Sequence, residues 1–174
     1  MKYLEKLIEL KCFTRQDVDR LTGNRQATNS LLFNYLNTKY IERVRRNLYT
    51  SISLESKQPV ANRFLIATNL TKDAYVSYHS AFEYYGYANQ VFYEVFVYTK
   101  QRFSDFEYDG ISYTRVAAIH DSGVVLTSSG IRITDLEKTV IDSIYAFEKI
   151  GGLEELLRCL SLIPTLKADK LLAY

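Results

Sequence analysis

Eight side chains in the first third of the sequence have types and spacing suited to recognising a nucleic acid. Arg25, Gln26, Asn29 and Ser30 fall together on one face of a predicted helix, and Lys39, Arg43, Arg45 and Arg46 follow it closely. Amide and guanidinium groups are the ones that read adenine and guanine edges through paired hydrogen bonds. Basic side chains on a hairpin reach phosphates or a minor groove. An outward helix face of Gln, Asn and Ser is unusual for mere solvation, which favours Glu and Lys, and a neutral or basic face does not repel phosphate. The plainer alternatives are a solvated polar face and a basic hairpin that only blunts a sheet edge.

The surrounding residues predict the elements that would hold this face. Tyr3, Leu4, Leu7, Ile8 and Lys11 follow the spacing of an amphipathic helix. Thr14 is a good N-cap for a second helix, with Asp17 near its positive end, and Gly23 stands where a left-handed residue ends it. Val18 and Leu21 give that helix its buried side. Asn24 caps a third helix over 25–37, whose apolar stripe is Ala27, Leu31, Leu32, Tyr35 and Leu36, with Phe33 on the polar side. Strands over 40–44 and 48–50 flank an Arg45-Arg46-Asn47 turn, in which Asn47 tolerates positive φ. Helix, turn, helix and basic hairpin in that order predict a winged helix-turn-helix domain over 1–52, its second helix entering a major groove.

The charge distribution agrees. Residues 1–58 carry 11 Lys/Arg against 6 Asp/Glu, whereas residues 59–174 carry 11 against 14. A polyanion would therefore meet the N-terminal part. Nearly half of the 174 residues are hydrophobic and a quarter charged, a globular balance, and no apolar run reaches the roughly 18 residues of a membrane span. Cys12 and Cys159 are far apart and lack a CxxC partner, so two reduced or buried thiols of a cytoplasmic protein are expected.

The polar stretch Ser51–Pro59 predicts a linker, and residues 59–174 a second domain. There, 60–70 suggests a helix leading in, and Ser77 and Gly86 bound another. Val91–Thr99 reads as a strand, and Asp109-Gly110 between alternating apolar runs is the clearest hairpin signal in the chain. Ser128-Ser129-Gly130 forms a second turn. Strands in such close succession imply a mostly antiparallel sheet. Thr134-Asp135-Leu136-Glu137 has the pattern of a capping box, and Gly151-Gly152 and Pro164 bound a late helix before a last one over 166–174. The expected fold is α+β: the winged helix-turn-helix, then an α/β domain with flanking helices.

Catalytic patterns are scarce in the sequence. Ser129-Gly130 is not followed by the carboxylate pair of a nucleotidyltransferase, and neither GxxxxGK[ST] nor G-x-S-x-G occurs. Glu55-Ser56-Lys57 fits only the spacing of a nuclease Glu-x-Lys and falls in the linker. No cluster of Cys, Asp or Glu with ligand spacing surrounds His79, so a structural or surface role is expected, with no metal and no cofactor. The tyrosines at 75, 78, 84, 85 and 87 suit packing around a helix better than base stacking.

F-T-R-Q-D-V, then G-N-R-Q-A-T-N-S-L-L-F-N-Y-L, then Y-I-E-R-V-R-R-N-L-Y resembles the N-terminal winged helix of AbiEi antitoxins. Asn47 stands where that family commonly has Gly. Further on, Y-V-S-Y-H-S-A-F-E-Y-Y-G and I-T-D-L-E-K-T-V-I-D-S-I resemble the family's second domain, with Lys138 where Arg is frequent. The resemblance covers roughly residues 12–145. It implies an antitoxin of a type IV toxin–antitoxin system linked to phage defence. Such a protein represses its own operon by binding inverted repeats in double-stranded promoter DNA. It opposes a nucleotidyltransferase toxin without a stable complex, its second domain carrying that activity. Lys100, Arg102, Arg115 or Arg132 would add DNA contacts by the same analogy. The alternative is a protein-interaction module that uses the winged helix as a scaffold, or a regulator without antitoxin activity.

Overall fold

The computed structural model describes residues 3–118 and 121–174 and divides into two compact units, 1–70 and 71–174. The architecture is mixed α and β, with eight α-helices and two sheets among the described residues.

In the first unit, α1 (Leu4–Leu10) leads into strand β1 (Cys12–Thr14). Thr14 then caps α2 (Arg15–Thr22) with a reciprocal capping box: its side chain accepts from the Asp17 N–H, and Asp17 accepts from the Thr14 N–H at 2.7 Å. Gly23 ends α2 at φ 65°, a conformation that costs a residue without a Cβ nothing. Asn24 accepts from the N–H groups of Gln26 and Ala27 and so opens α3 (Arg25–Asn37) within two residues of the end of α2. Strands β2 (Ile41–Arg45) and β3 (Leu48–Ser51) form an antiparallel hairpin, and β1 pairs with β3 on its other side. Leu7, Phe13, Val18, Leu31, Leu32, Ile41 and Tyr49 make the core. That core fixes how α3 is presented.

Two expectations change here. The apolar stripe of α3 includes Thr28 instead of Ala27: Ala27 is exposed, while Thr28 is buried and shares a 2.7 Å hydrogen bond with Thr22. A satisfied hydroxyl can occupy a core position that its residue type does not advertise. The stretch 51–59 is a loop tied back on the sheet. Ile52 bridges Pro59, the Ser53 N–H donates to the Gln58 carbonyl, and the Val60 N–H donates to the Ser51 carbonyl. Helix α4 (Arg63–Thr68), buried from Phe64 to Thr68, consequently belongs to the first unit, and the division falls after Leu70 instead of at the polar stretch.

The second unit is built on a six-stranded sheet. Its strands are β4 (Tyr75–Val76), β5 (Glu94–Thr99), β6 (Phe106–Tyr108), β7 (Ile111–Ala117), β8 (Val124–Leu126) and β9 (Arg132–Thr134), in the order β6-β7-β5-β4-β9-β8. Antiparallel and parallel pairings alternate across it. Three of the five seams are antiparallel, but the longest, β5 with β7, is parallel. The expected Asp109-Gly110 turn is present, with φ of 53° and 71° joining Tyr108 to Ile111.

Helices α5 (Tyr78–Tyr85), α6 (Leu136–Tyr145), α7 (Leu153–Leu162) and α8 (Ala168–Ala173), with a 3-10 turn at Phe147–Ile150, complete this unit. The cap of α6 is Asp135, which accepts from the Lys138 N–H; Thr134 lies in β9, so the predicted capping box does not form. Glu137 instead accepts from the Lys167 N–H, and Lys170 and Tyr174 both donate to Asp135, which docks α8 beside the start of α6. Burial alone would raise the Asp135 pKa, but these hydrogen bonds hold it below the usual carboxylate range.

Candidate functional site

Helix α3 is held by its cap at one end and by Leu31 and Leu32 in the core, which leaves a defined face outward. Arg25, Gln26, Asn29, Ser30 and Phe33 are all exposed on it, Phe33 by 65%. No Asp or Glu occurs from residue 20 to residue 41. A large exposed aromatic amid amides is costly to solvate and suits contact with a thymine methyl. The structure adds a residue that sequence patterning missed. Arg15, at the start of α2, donates from its guanidinium to the Asn29 side-chain oxygen at 2.5 Å, with Asp19 3.9 Å away on the other side. Fourteen positions separate Arg15 from Asn29, and only the turn between the helices brings them together.

The hairpin presents its arginines unequally. Arg43 and Arg46 are exposed, and Arg43 lies 5.8 Å above the Tyr49 ring. Arg45 flanks the two-residue turn and is half-buried, at a bulge in the β2–β3 register. Asn47 turns the chain at φ 64°, and its carbonyl accepts from the Arg15 N–H. Lys39 is exposed at φ 55°, between α3 and β2.

Among the basic residues of the second unit, Arg115 donates to the Gln101 carbonyl, and Arg132 to the carbonyls of Thr71 and Lys72. Both therefore brace loops. Lys100 makes an exposed 3.8 Å ion pair with Asp121, and Arg102 is exposed.

The other feature of this unit is a cleft of about 340 Å³ lined by Tyr75, Tyr78, Tyr98, Lys138, Asp142 and Lys149, with Val116 and Ala117. It is where two distant stretches, 75–86 and 133–144, meet. Ser77 donates to Asp142 at 3.3 Å, Thr134 donates to Ser77 at 3.1 Å, and Lys138 pairs with Asp142 one helical turn on. Tyr75 stacks on Tyr98, and the Lys149 ammonium sits 5.6 Å over the Tyr78 ring. Burial pushes the Tyr75 and Tyr98 phenols up, which keeps both as neutral hydroxyls. Tyr78 has φ 55°, a strained conformation for an aromatic residue that a tightly packed surrounding must enforce. The tyrosines at 75 and 78 thus line a cleft as well as packing around α5.

No family model matches the sequence, and no curated protein matches it.

Proposed function

We propose that the first unit is a winged helix-turn-helix and that the protein is a sequence-specific DNA-binding repressor. The observation that carries this reading is the exposed, acid-free face of α3, where Arg25, Gln26, Asn29 and Ser30 stand clear of the core. In this reading α3 lies in the major groove, and Arg43, Arg46 and Lys39 anchor the hairpin to phosphates, with Arg45 steadying the hairpin from its half-buried position. The +5 balance of residues 1–58 supplies the non-specific attraction.

The antitoxin role rests on the resemblance to the AbiEi family. It is supported by the way the two second-domain stretches that carry that resemblance meet at the Ser77–Asp142 hydrogen bond beside the tyrosine cleft. We assign the antitoxin activity, opposing a nucleotidyltransferase toxin, to the surroundings of that cleft.

A gel shift of the full chain on the DNA upstream of its own gene tests the repressor reading. A retarded band that specific competitor removes and random duplex does not is the expected result; equal competition by both defeats it. Exposed apolar side chains at Tyr145, Leu153, Leu157 and Leu172 favour the second reading, a protein-interaction module. Equal competition in the gel shift, together with capture of a defined protein lost on Leu153→Asp, would favour it. The antitoxin role is tested separately, by co-expression with the product of the adjacent gene and relief of growth arrest.

A further inference from the structure

Two helices of the second unit each direct a pair of side chains one turn apart at the same buried point. Helix α5 supplies His79 and Glu83, and α7 supplies Glu155 and Cys159. His79 is 2% exposed, Glu155 4% and Cys159 not at all. The His79 Nε2 lies 3.5 Å from Glu155 Oε1, the Cys159 Sγ lies 3.7 Å from the same oxygen, and one donor atom from each of the three falls within 4.8 Å of the others. The other imidazole nitrogen, Nδ1, faces Glu83 Oε2 at 3.9 Å. Phe92 stacks flat on the imidazole with ring centres 3.7 Å apart, which fixes the plane of the ring.

A carboxylate this deep needs compensation, because an unpaired buried charge is among the costliest features a fold can carry. Glu155 Oε1 meets the His79 imidazole at 3.5 Å, but the other contacts of this carboxylate are weak. The contact from Cys159 is a weak thiol one, and Oε2 has no hydrogen bond, with the nearest Arg158 nitrogen 3.9 Å away. Burial, reinforced by Glu155, pushes the Cys159 thiol up to about 12, so the sulfur is no nucleophile here.

We propose that His79, Glu155 and Cys159 bind a divalent cation of zinc's class. A neutral imidazole, a carboxylate and a thiolate together offer two negative charges to a 2+ ion, so the filled site is neutral and its burial is no longer costly. The mixed nitrogen, oxygen and sulfur set suits a borderline ion and excludes magnesium and calcium, which take oxygen ligands. Tetrahedral ligation at about 2.0–2.3 Å places donor atoms roughly 3.3–3.8 Å apart, which two of the contacts already satisfy. Glu83 at Nδ1 has the place of the outer carboxylate that orients a metal-bound histidine and selects its tautomer. Binding releases one proton, from the Cys159 thiol to solvent, as the sulfur–metal bond forms. The ion would tie α7 to α5, the helix that bears Tyr78.

The sequence shows no ligand cluster because Glu155 and Cys159 stand far along the chain from His79. Each helix does contribute an i, i+4 pair, and that spacing is the only trace of the site in the sequence.

Cobalt(II) tests the site in the full chain after chelator treatment. The expected result is saturable uptake of about one equivalent with tetrahedral ligand-field bands and a near-ultraviolet thiolate-to-cobalt band. The thiolate band should survive Cys12→Ala and vanish in Cys159→Ala, and zinc(II) should raise the thermal midpoint of the wild type but not that of Cys159→Ala. Should Cys159→Ala fail to fold, loss of uptake in His79→Gln with the Cys12→Ala spectrum intact supports the site equally. Wild-type protein that takes up no cobalt, or takes it up with no thiolate band, overturns the proposal and leaves a buried histidine beside a buried carboxylate.

Discussion

The Arg15 guanidinium donates to the side-chain oxygen of Asn29 at 2.5 Å, across the turn that joins α2 to α3. One lone pair of that oxygen is thereby engaged and the amide is held in one orientation, with its N–H donors directed away from Arg15. Pre-orientation lowers the entropic cost of a bidentate contact with a base. Arg15→Ala is therefore expected to weaken specific binding by about 1 kcal/mol, without the side chain itself meeting a base. Its effect should largely disappear in an Asn29→Ala background, which a double-mutant cycle on the gel shift reads directly.

Arg25→Ala and Asn29→Ala should each cost roughly 1–3 kcal/mol on the preferred duplex and little on random duplex. Arg43→Ala with Arg46→Ala should weaken both equally and lower the slope of log K against log salt by about 0.9 for each phosphate no longer neutralised. Fluorescence anisotropy at several salt concentrations separates the two behaviours. A uniform loss from Arg25→Ala would remove it from the base-reading set.

Asp73 joins two stretches of the second unit, 71–73 and 99–101, by accepting from the Lys100 N–H at 2.6 Å and from Thr99, Thr71 and Gln101 side chains. Burial opposes its ionisation, but these hydrogen bonds prevail and hold the carboxyl at about 2. A depressed carboxylate pKa contributes stability that is present above the unfolded value of about 3.9 and is lost as pH falls through about 2. Asp73→Asn should therefore cost about 1–2 kcal/mol in a urea melt at neutral pH, with the two proteins converging as pH approaches the folded value. A constant difference down to that pH would mean that the charge is not what Asp73 contributes.

Gly151 and Gly110 both have positive φ but differ in what surrounds them. A Cβ on Gly110 meets nothing within 4 Å, whereas one on Gly151 would lie 2.8 Å from the Phe92 ring that stacks on His79. Gly110→Ala should cost only the left-handed backbone penalty, about 1 kcal/mol. Gly151→Ala adds overpacking, for about 2–4 kcal/mol in all. Denaturant midpoints compare them, and equal losses would show that Phe92 yields without cost.

Signals that act over a few residues were legible in the sequence. Thr14, Gly23, Asn24 and Asp109-Gly110 each satisfy backbone groups beside themselves, so residue type alone marks them. What was not legible depends on partners distant along the chain. The parallel seam of β5 with β7 has no turn to announce it. Asp135, not Thr134, caps α6 because the Thr134 hydroxyl is engaged with Ser77 and Thr139. The exposure of the α3 face followed from helical periodicity, but Arg15 beside Asn29, Arg45 half-buried, and Glu155 with Cys159 against His79 are products of packing between elements.

The sheet also imposes an order on its own assembly. Its two edges are hairpins that close over a few residues, while its middle joins Val76 to Ile133 through β4, a strand of two residues. Closing that span costs far more chain entropy than closing either turn, so the edges precede the centre as the chain folds. Weakening the 108–111 turn should then slow refolding, whereas truncating Val76 should chiefly quicken unfolding. The middle of the sheet, though the most enclosed part of the unit, is in time its keystone and not its foundation.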